Sequence, residues 1–299
     1  MEKINFYNQI SKNKRDSIVL GIVVFFILVS LVYVMSSIFS PGSSLIFTVF
    51  AVIFMIVYTY ETYNHGDKIV LAATKAVQVK DNDRRYNQLI NIIDEMSIAA
   101  GITRPKIYVI ESNDINAFAT GKTPEHASIA VTTGLLENLK RDEIQGVIGH
   151  EMTHIRNYDV RFATFIAVFV GLVAILSDIL MRSFFWGGSR DDRKDKNFGI
   201  LIIVGLILAI VAPVFVRIVQ LAISRRREFA ADAGSVELTR YPEGLASALE
   251  KILKINQGKM KVSEAVSHLF FSDPNKSPLD ALFATHPPLE ERIKILRLM

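Results

Sequence analysis

The chain of 299 residues contains no cysteine, and this absence excludes disulfides, thiolate ligands for zinc and a cysteine nucleophile. Any bound metal ion must therefore be held by nitrogen and oxygen atoms. A strong charge of one sign is also lacking, because 34 basic and 30 acidic residues leave a formal net charge of +4. The sequence does not interleave basic with aromatic residues as nucleic-acid-binding proteins do, so we expect no nucleic-acid partner.

Half of the residues are hydrophobic, and they occur in long blocks rather than evenly along the chain. No charged residue lies between positions 17 and 60, and a Ser-Pro-Gly-Ser-Ser sequence interrupts this run in its middle. The two parts, Ile18–Phe39 and Leu45–Tyr63, are each long enough to cross a bilayer as a helix. We therefore predict an N-terminal transmembrane hairpin in residues 1–63, with the lipid bilayer as a partner.

Residues 162–216 contain two weaker hydrophobic blocks, Phe162–Leu180 and Phe198–Val216, which predict a second hydrophobic hairpin. With about four spans, the basic residues near Arg15 and Arg225 face the cytoplasm, as the positive-inside rule favours. The loop Arg182–Asn197 fits less well, because it carries five basic and three acidic residues. Either this loop is translocated despite its charge, or the second hairpin does not fully cross the bilayer.

The polar residues 64–161 predict the first part of an α+β catalytic domain. Three short strands, Lys106–Glu111, Asn116–Thr120 and Ala127–Thr132, are expected to form a small antiparallel sheet. An extended peptide can add to the edge of such a sheet through main-chain hydrogen bonds. A helix is predicted over Asp83–Ala100. The apolar residues expected on its buried face are Leu89, Ile90, Ile93, Met96 and Ile98.

The most informative motif is His-Glu-Met-Thr-His at residues 150–154. On a helix predicted over Ile144–Ile155, the two histidines project from one face and can hold a single Zn²⁺. Glu151 then lies near the open position of the metal, where it can take a proton from a bound water. This is the chemistry of peptide hydrolysis. The simpler interpretation is an amphipathic helix with two incidental histidines, but such a motif arises by chance in only about one per cent of chains this long.

A catalytic zinc ion needs a third protein ligand. Val160 excludes the extension in which a third histidine follows six residues after the second. A glutamate on a second helix, followed four residues later by an aspartate, is the other common solution, and Glu228 and Asp232 supply it. Glu228 would bind the metal, and Asp232 would accept a ring N–H from a ligand histidine. By themselves these carboxylates fit a solvated helix face, and the adjacent basic residues 225–227 fit membrane anchoring as well as a role at the site.

The arrangement of these motifs resembles that of the HtpX-type membrane zinc metalloproteases, which are related to the CAAX prenyl proteases. The matching segments are His150–His154 and Arg226–Asp232, which bracket a hydrophobic hairpin, together with Asn116–Gly121 and His286–Arg292. The likeness covers nearly the whole chain and implies a mainly helical domain of the gluzincin type, completed by residues 217–299.

The resemblance also implies roles for individual residues. It makes His150, His154 and Glu228 the ligands of one Zn²⁺ and Glu151 the general base. It implies that Asn116 binds the substrate main chain and that His286 lies near the oxyanion. For these last two residues the alternatives are a turn residue and a helix-start residue, respectively.

The resemblance further implies a multi-pass protein of the bacterial cytoplasmic (inner) membrane whose active site faces the cytoplasm. The expected activity is endopeptidase cleavage of misfolded or damaged membrane proteins, as part of quality control or a stress response. We keep three alternatives. An intramembrane protease of the site-2 type would place the motif within a span, but charged residues follow it at once. A non-catalytic four-span zinc scaffold would not need Glu151. A CAAX-processing enzyme would need more spans ahead of the sheet.

Overall fold

The computed structural model describes residues 41–164, 166–168, 225–256, 264–267, 269–272 and 287–299, and a few single positions outside these ranges. Several predictions therefore lie outside the described residues. They concern the spans Ile18–Phe39 and Phe198–Val216, most of Phe162–Leu180, the loop Arg182–Asn197 and His286.

The first long helix, α1, runs from Ser44 to Ala73 and follows a 3₁₀ turn at Pro41–Ser43. Its part Ser44–Thr62 is long and apolar enough to cross a membrane, and only 11% of that window is buried inside the protein. Leu45 and Phe50 are among its exposed apolar side chains. Such a surface is unfavourable in water and suits a lipid environment. Within the described residues this helix is the single candidate span, so the four-span arrangement stays a prediction.

The sheet contains four strands: β1 (Val77–Gln78), β2 (Lys106–Ile110), β3 (Ala117–Gly121) and β4 (Ala127–Thr132). Among the residues that the structure describes their spatial order is β1-β2-β4-β3, so β3 lies at an edge of this part of the sheet. The prediction of an antiparallel sheet was wrong for the central pair, because β2 and β4 run parallel. The physical reason is that β3 and β4 form an antiparallel hairpin and it is the second strand of this hairpin, β4, that pairs with β2.

The first helix after β1 is α2, which covers Asn87–Ala100. α2 begins at Asn87, four residues later than predicted, because Asp83 caps a short 3₁₀ turn at Arg84–Tyr86. The prediction that Ile98 is buried was wrong, since 82% of its surface is exposed. The helices are α2 (Asn87–Ala100), α3 (Thr133–Asn138), α4 (Arg141–Arg156), α5 (Arg225–Thr239), α6 (Pro242–Ile255), α7 (Glu264–Ser267) and α8 (Leu289–Leu296).

Helix α4 is the centre of the packing, because it contacts α2, α5, α6 and the edge strand β3. The apolar side chains predicted on its core face are buried, as Ile144, Val147, Ile148 and Ile155 are at most 1% exposed. Gly146 allows α6 to approach closely, since a Cβ at this position would lie 2.7 Å from the backbone nitrogen of Leu245. The helix that carries both motif histidines is thus held rigidly on several sides.

A buried carboxylate, Glu143, joins the first turn of α4 to α6. Its oxygens accept hydrogen bonds from the Lys140 backbone N–H at 2.6 Å, the Ser247 hydroxyl at 2.6 Å and Lys251 Nζ at 2.7 Å. Burial opposes ionisation, but the hydrogen bonds from Lys251, Ser247 and Lys140 outweigh it and lower the pKa of Glu143 below its ordinary value of 4.5. The carboxylate therefore stabilises the folded state in its charged form.

We predict that Glu143→Gln lowers the free energy of unfolding by about 1 to 3 kcal/mol at neutral pH. Because the folded-state pKa is depressed, this contribution is present above the unfolded pKa and is lost as pH falls through the folded value. The gap between wild type and variant should therefore shrink below about pH 4.5. Thermal unfolding of the detergent-solubilised protein at a series of pH values measures this difference in stability. Glu137→Gln, at an exposed position, is the control. A gap that does not change with pH would contradict the assignment.

Candidate metal centre

The candidate centre lies where α4 crosses α5. The two helices approach closely because Gly234 on α5 has no side chain. The side chain of Thr153 on α4 fills this space, and a Cβ at Gly234 would overlap it. The Ser235 hydroxyl also donates to the Gly146 carbonyl at 2.6 Å. This contact brings the first turn of α5 over the face of α4 that carries the motif histidines.

His150, His154 and Glu228 converge at this crossing. One ligand atom from each lies within 4.8 Å of the others. The Nε2 atoms of the two histidines are 3.1 Å apart, and the Glu228 carboxylate oxygens lie 3.7 Å from Nε2 of His150 and 3.5 Å from Nε2 of His154. His150 and Glu228 are buried, and His154 is partly exposed. The structure therefore brings together three residues that the sequence separates widely.

Each histidine ring is oriented by a carboxylate on its other side. Nδ1 of His150 lies 2.9 Å from Asp232 Oδ1, and Nδ1 of His154 lies 3.0 Å from Asp159 Oδ2. Carboxylates only accept hydrogen bonds, so each Nδ1 carries a proton, and each Nε2 presents a lone pair to the centre whenever its ring is neutral. This is the tautomer that a metal ligand requires.

The donor set fits a metal cation. Two Nε2 lone pairs facing each other at 3.1 Å, beside a carboxylate, repel one another unless a positive charge lies between them. Burial lowers the pKa of His150 to about 4, so this ring is neutral at physiological pH. Burial also acts to lower the pKa of His154, but Asp159 and Glu228 raise it well above its ordinary value of 6.5. The carboxylates that favour a proton on His154 equally favour a metal ion at its Nε2.

The charge of the cluster points to a divalent ion. Among the described residues, four carboxylates and two guanidinium groups are buried around the centre, so two negative charges are left without compensation when both histidines are neutral, as metal ligands are. A divalent cation would neutralise the cluster. The charged residues are Glu151, Asp159, Arg227, Glu228, Asp232 and Arg292.

Arg292 links the C-terminal helix α8 to the centre. Its guanidinium is fully buried and binds Asp232 through two hydrogen bonds, Nε to Oδ2 at 2.8 Å and Nη2 to Oδ1 at 2.6 Å. It also lies 4.8 Å above the ring of Phe271. Although burial disfavours its charge, the attraction of Asp232 raises the pKa of Arg292. The salt bridge therefore holds Asp232 ionised and in place to accept the proton of His150.

Glu151 lies in a pocket that opens beside the three convergent residues. Its side chain is 3% exposed and lines this pocket together with both histidines and Glu228. The other walls are mostly apolar and include Ala119 of the edge strand β3. The apolar residues are Ala119, Val160, Phe162, Ala163, Leu269, Phe270 and Phe271.

Asn116 lies just before β3, and its side chain is fully buried. Its amide binds the main chain of Ser272, donating from Nδ2 to the carbonyl at 2.7 Å and accepting the Ser272 N–H at 3.0 Å. The Phe271 N–H donates to the carbonyl of Ala117 at 2.8 Å. Asn116 thus holds the turn and bend residues 269–272 against the sheet edge, and its predicted contact with substrate stays a prediction.

Sequence reasoning did not identify three residues of the centre: Asp159, Arg227 and Arg292. Asp159 follows the motif by five residues, a spacing that a continuous helix would not bring back to His154. For Arg227 the sequence left membrane anchoring and a role at the site equally open, and the structure buries its side chain beside Asp159. Arg292 belongs to the segment His286–Arg292, where only the resemblance to other proteins offered a signal.

Comparisons with known proteins agree with this geometry. Residues 83–299 match the sequence model of a protein family described as peptidase family M48. The chain is 48% identical to "Protease HtpX homolog" of Thermoanaerobacter pseudethanolicus over 82% of both chains. It is 43% identical to the protein of the same description from Caldanaerobacter subterraneus subsp. tengcongensis over 99% of both chains.

Among solved structures, the chain is similar to the crystal structure of S. mikatae Ste24p, with a TM-score of 0.49 and 21% sequence identity. That similarity covers 96% of this chain and 67% of the other, and it is too low to establish a shared fold. The match to the family model and the similarity to the relatives are sufficient to assign the family without it. The chain therefore belongs to peptidase family M48 and is an HtpX-type metalloprotease.

Proposed function

We propose that the protein is a zinc endopeptidase that cleaves membrane and membrane-associated proteins at the cytoplasmic face of the bacterial inner membrane. The observation that carries this proposal is the convergence of His150, His154 and Glu228 around one point, with Glu151 beside them. Its role in the cell would be quality control of misfolded or damaged membrane proteins.

His150, His154 and Glu228 would hold the ion with two nitrogens and one oxygen, a set typical of catalytic zinc. Zinc in such a site would act as a Lewis acid. It would lower the pKa of water and polarise the carbonyl group of the substrate. Glu151 removes a proton from the attacking water and passes it to the departing amine. Its position at the pocket wall keeps this carboxylate near the reacting atoms and away from bulk solvent.

The part of the edge strand β3 that follows Ala117, whose carbonyl already accepts the Phe271 N–H, offers a binding mode for an extended substrate. Ala119 of this strand lines the pocket next to both histidines. A peptide that adds to this edge binds through main-chain hydrogen bonds, which do not depend on its sequence. The apolar walls of the pocket would then accommodate an apolar side chain of the substrate. Low sequence selectivity of this kind suits an enzyme that removes damaged proteins.

The position of α4 favours this function over an intramembrane protease. The motif helix packs on the sheet and on α2, α5 and α6, whereas the candidate span is the separate helix part Ser44–Thr62. A substrate would therefore reach the centre at the membrane surface. A cleavage site mapped deep inside a transmembrane segment would favour the intramembrane alternative instead.

We predict that Glu151→Gln retains zinc but loses activity by about 100- to 10,000-fold, because the amide cannot accept the proton of water. Casein cleavage by the detergent-purified protein measures the activity, and elemental analysis measures the metal. Glu137→Gln, an exposed position, serves as the matched control. An active Glu151→Gln variant would remove the general-base assignment.

We predict that His150→Ala and Glu228→Ala each abolish stoichiometric zinc binding as well as casein cleavage, since two ligands do not hold zinc tightly. Wild-type activity should disappear with a chelator and return when zinc is added. His65→Ala is the control, because His65 is an exposed histidine paired with Glu61. Full zinc content in Glu228→Ala would show that this carboxylate is not a ligand.

The membrane orientation can be tested with single cysteines, because the chain has no native thiol. If the second hairpin crosses the bilayer, Ser189→Cys in the Arg182–Asn197 loop reacts with a membrane-impermeant maleimide in intact spheroplasts. Glu137→Cys, in the catalytic domain, should react only after permeabilisation. If neither cysteine reacts in intact spheroplasts, the second hairpin does not cross the bilayer. If only Glu137→Cys reacts, the orientation is the reverse of the one proposed.

A further inference from the structure

We infer that Asp159 is the positioning residue of His154 and that Arg227 acts on His154 through Asp159. This inference rests on the zinc site proposed above and adds two residues to it. Its first support is the hydrogen bond of 3.0 Å between His154 Nδ1 and Asp159 Oδ2. The side chain of Asp159 is only 9% exposed, so water competes weakly for this contact.

The backbone is bent to make this hydrogen bond. Helix α4 ends at Arg156, and Tyr158 adopts a φ of +62° before helical residues resume at position 159. A left-handed conformation is unfavourable for a tyrosine by roughly 1 kcal/mol. In a continuous helix, residue 159 would point away from residue 154. The break at Tyr158 instead returns the carboxylate of Asp159 to the ring.

Arg227 faces the other oxygen of the same carboxylate. Its Nη1 lies 4.0 Å from Asp159 Oδ1, and its guanidinium lies 4.6 Å above the ring of Phe162. The side chains of Arg227 and Asp159 are both 9% exposed, so their attraction is only weakly screened. Because Arg227 directly precedes Glu228, this ion pair also fixes the start of α5 relative to the end of α4.

The two histidines therefore have matching supports. His150 donates to Asp232, which is bound by Arg292, and His154 donates to Asp159, which faces Arg227. The second support is the looser of the two, since its ion pair spans 4.0 Å rather than 2.6 Å. His154 is also the more exposed ring, with 14% against 1% for His150. Without Asp159, the ring of His154 would be free to change its tautomer and orientation.

The test compares Asp159→Ala and Asp159→Asn in the full-length detergent-solubilised protein. Zinc affinity is measured by competition with a chromogenic chelator, and the absorption spectrum of the Co²⁺-loaded protein reports ligand geometry. Loss of such a supporting carboxylate weakens metal binding by about 10- to 100-fold. We expect that loss in Asp159→Ala and a smaller one in Asp159→Asn, whose amide oxygen still accepts the Nδ1 proton. Asp94→Asn, in an exposed pair with Arg104, is the control.

The variant Arg227→Met shows whether Arg227 affects zinc affinity through Asp159 or directly. If Arg227 acts through Asp159, the double variant Asp159→Ala/Arg227→Met binds zinc no more weakly than Asp159→Ala alone. Additive losses of affinity would overturn the role assigned to Arg227. Zinc affinity is used here rather than activity, because Arg227 also lines the pocket.

The outcomes distinguish this inference from the proposed function. A wild-type protein that binds no zinc would refute the proposed site itself. A wild-type protein that binds zinc, with equal affinity and an unchanged Co²⁺ spectrum in both Asp159 variants, would overturn only the positioning role. Circular dichroism checks that the variants fold. If Asp159→Ala does not fold, Asp159→Leu takes its place, because leucine is close to aspartate in size and accepts no hydrogen bond from Nδ1.

Discussion

Two nitrogen lone pairs face each other in the interior of this protein, on Nε2 of His150 and Nε2 of His154, only 3.1 Å apart. With both rings neutral this arrangement is unfavourable unless a proton or a metal cation lies between the nitrogens, and contacts on the far side of each ring maintain it. Carboxylates on the far side of each ring fix the protons away from the centre. Helix α4 is fixed in turn by contacts with α2, α5, α6 and β3. The rigidity of the fold is thus used to keep together groups that repel one another.

This constraint couples metal binding to stability. The buried cluster has an excess of carboxylates over guanidinium groups, and an ion that neutralises it removes an electrostatic cost from the folded state. A ligand that binds the folded protein but not the unfolded chain stabilises the fold by mass action. The same carboxylates that make the centre costly without a cation therefore make it selective for a positively charged ligand.

Local features of the site could be predicted from the sequence, and long-range ones could not. The spacing of His150 and His154 predicts one helix face because helix geometry is local. The buried positions of α4 follow from the same periodicity, and Gly101 ends α2 in the left-handed conformation expected of a glycine. The parallel pairing of β2 with β4 was missed, because strand order depends on connections that side-chain patterns do not encode. Ile98 was missed because a tertiary surface, not the residue type, decides its exposure.

Asp159 and Arg292 show why the remainder of the centre escapes sequence reasoning. Each is an ordinary charged residue whose partner is fixed only by the fold, Asp159 through a left-handed residue at Tyr158 and Arg292 through the docking of α8. Glu228 reaches the histidines only after the chain has passed through the hydrophobic residues 162–216. The metal centre therefore forms only when residues before and after this hydrophobic region pack together. It follows that the centre depends on the packing of α5 and α8 at the face of α4.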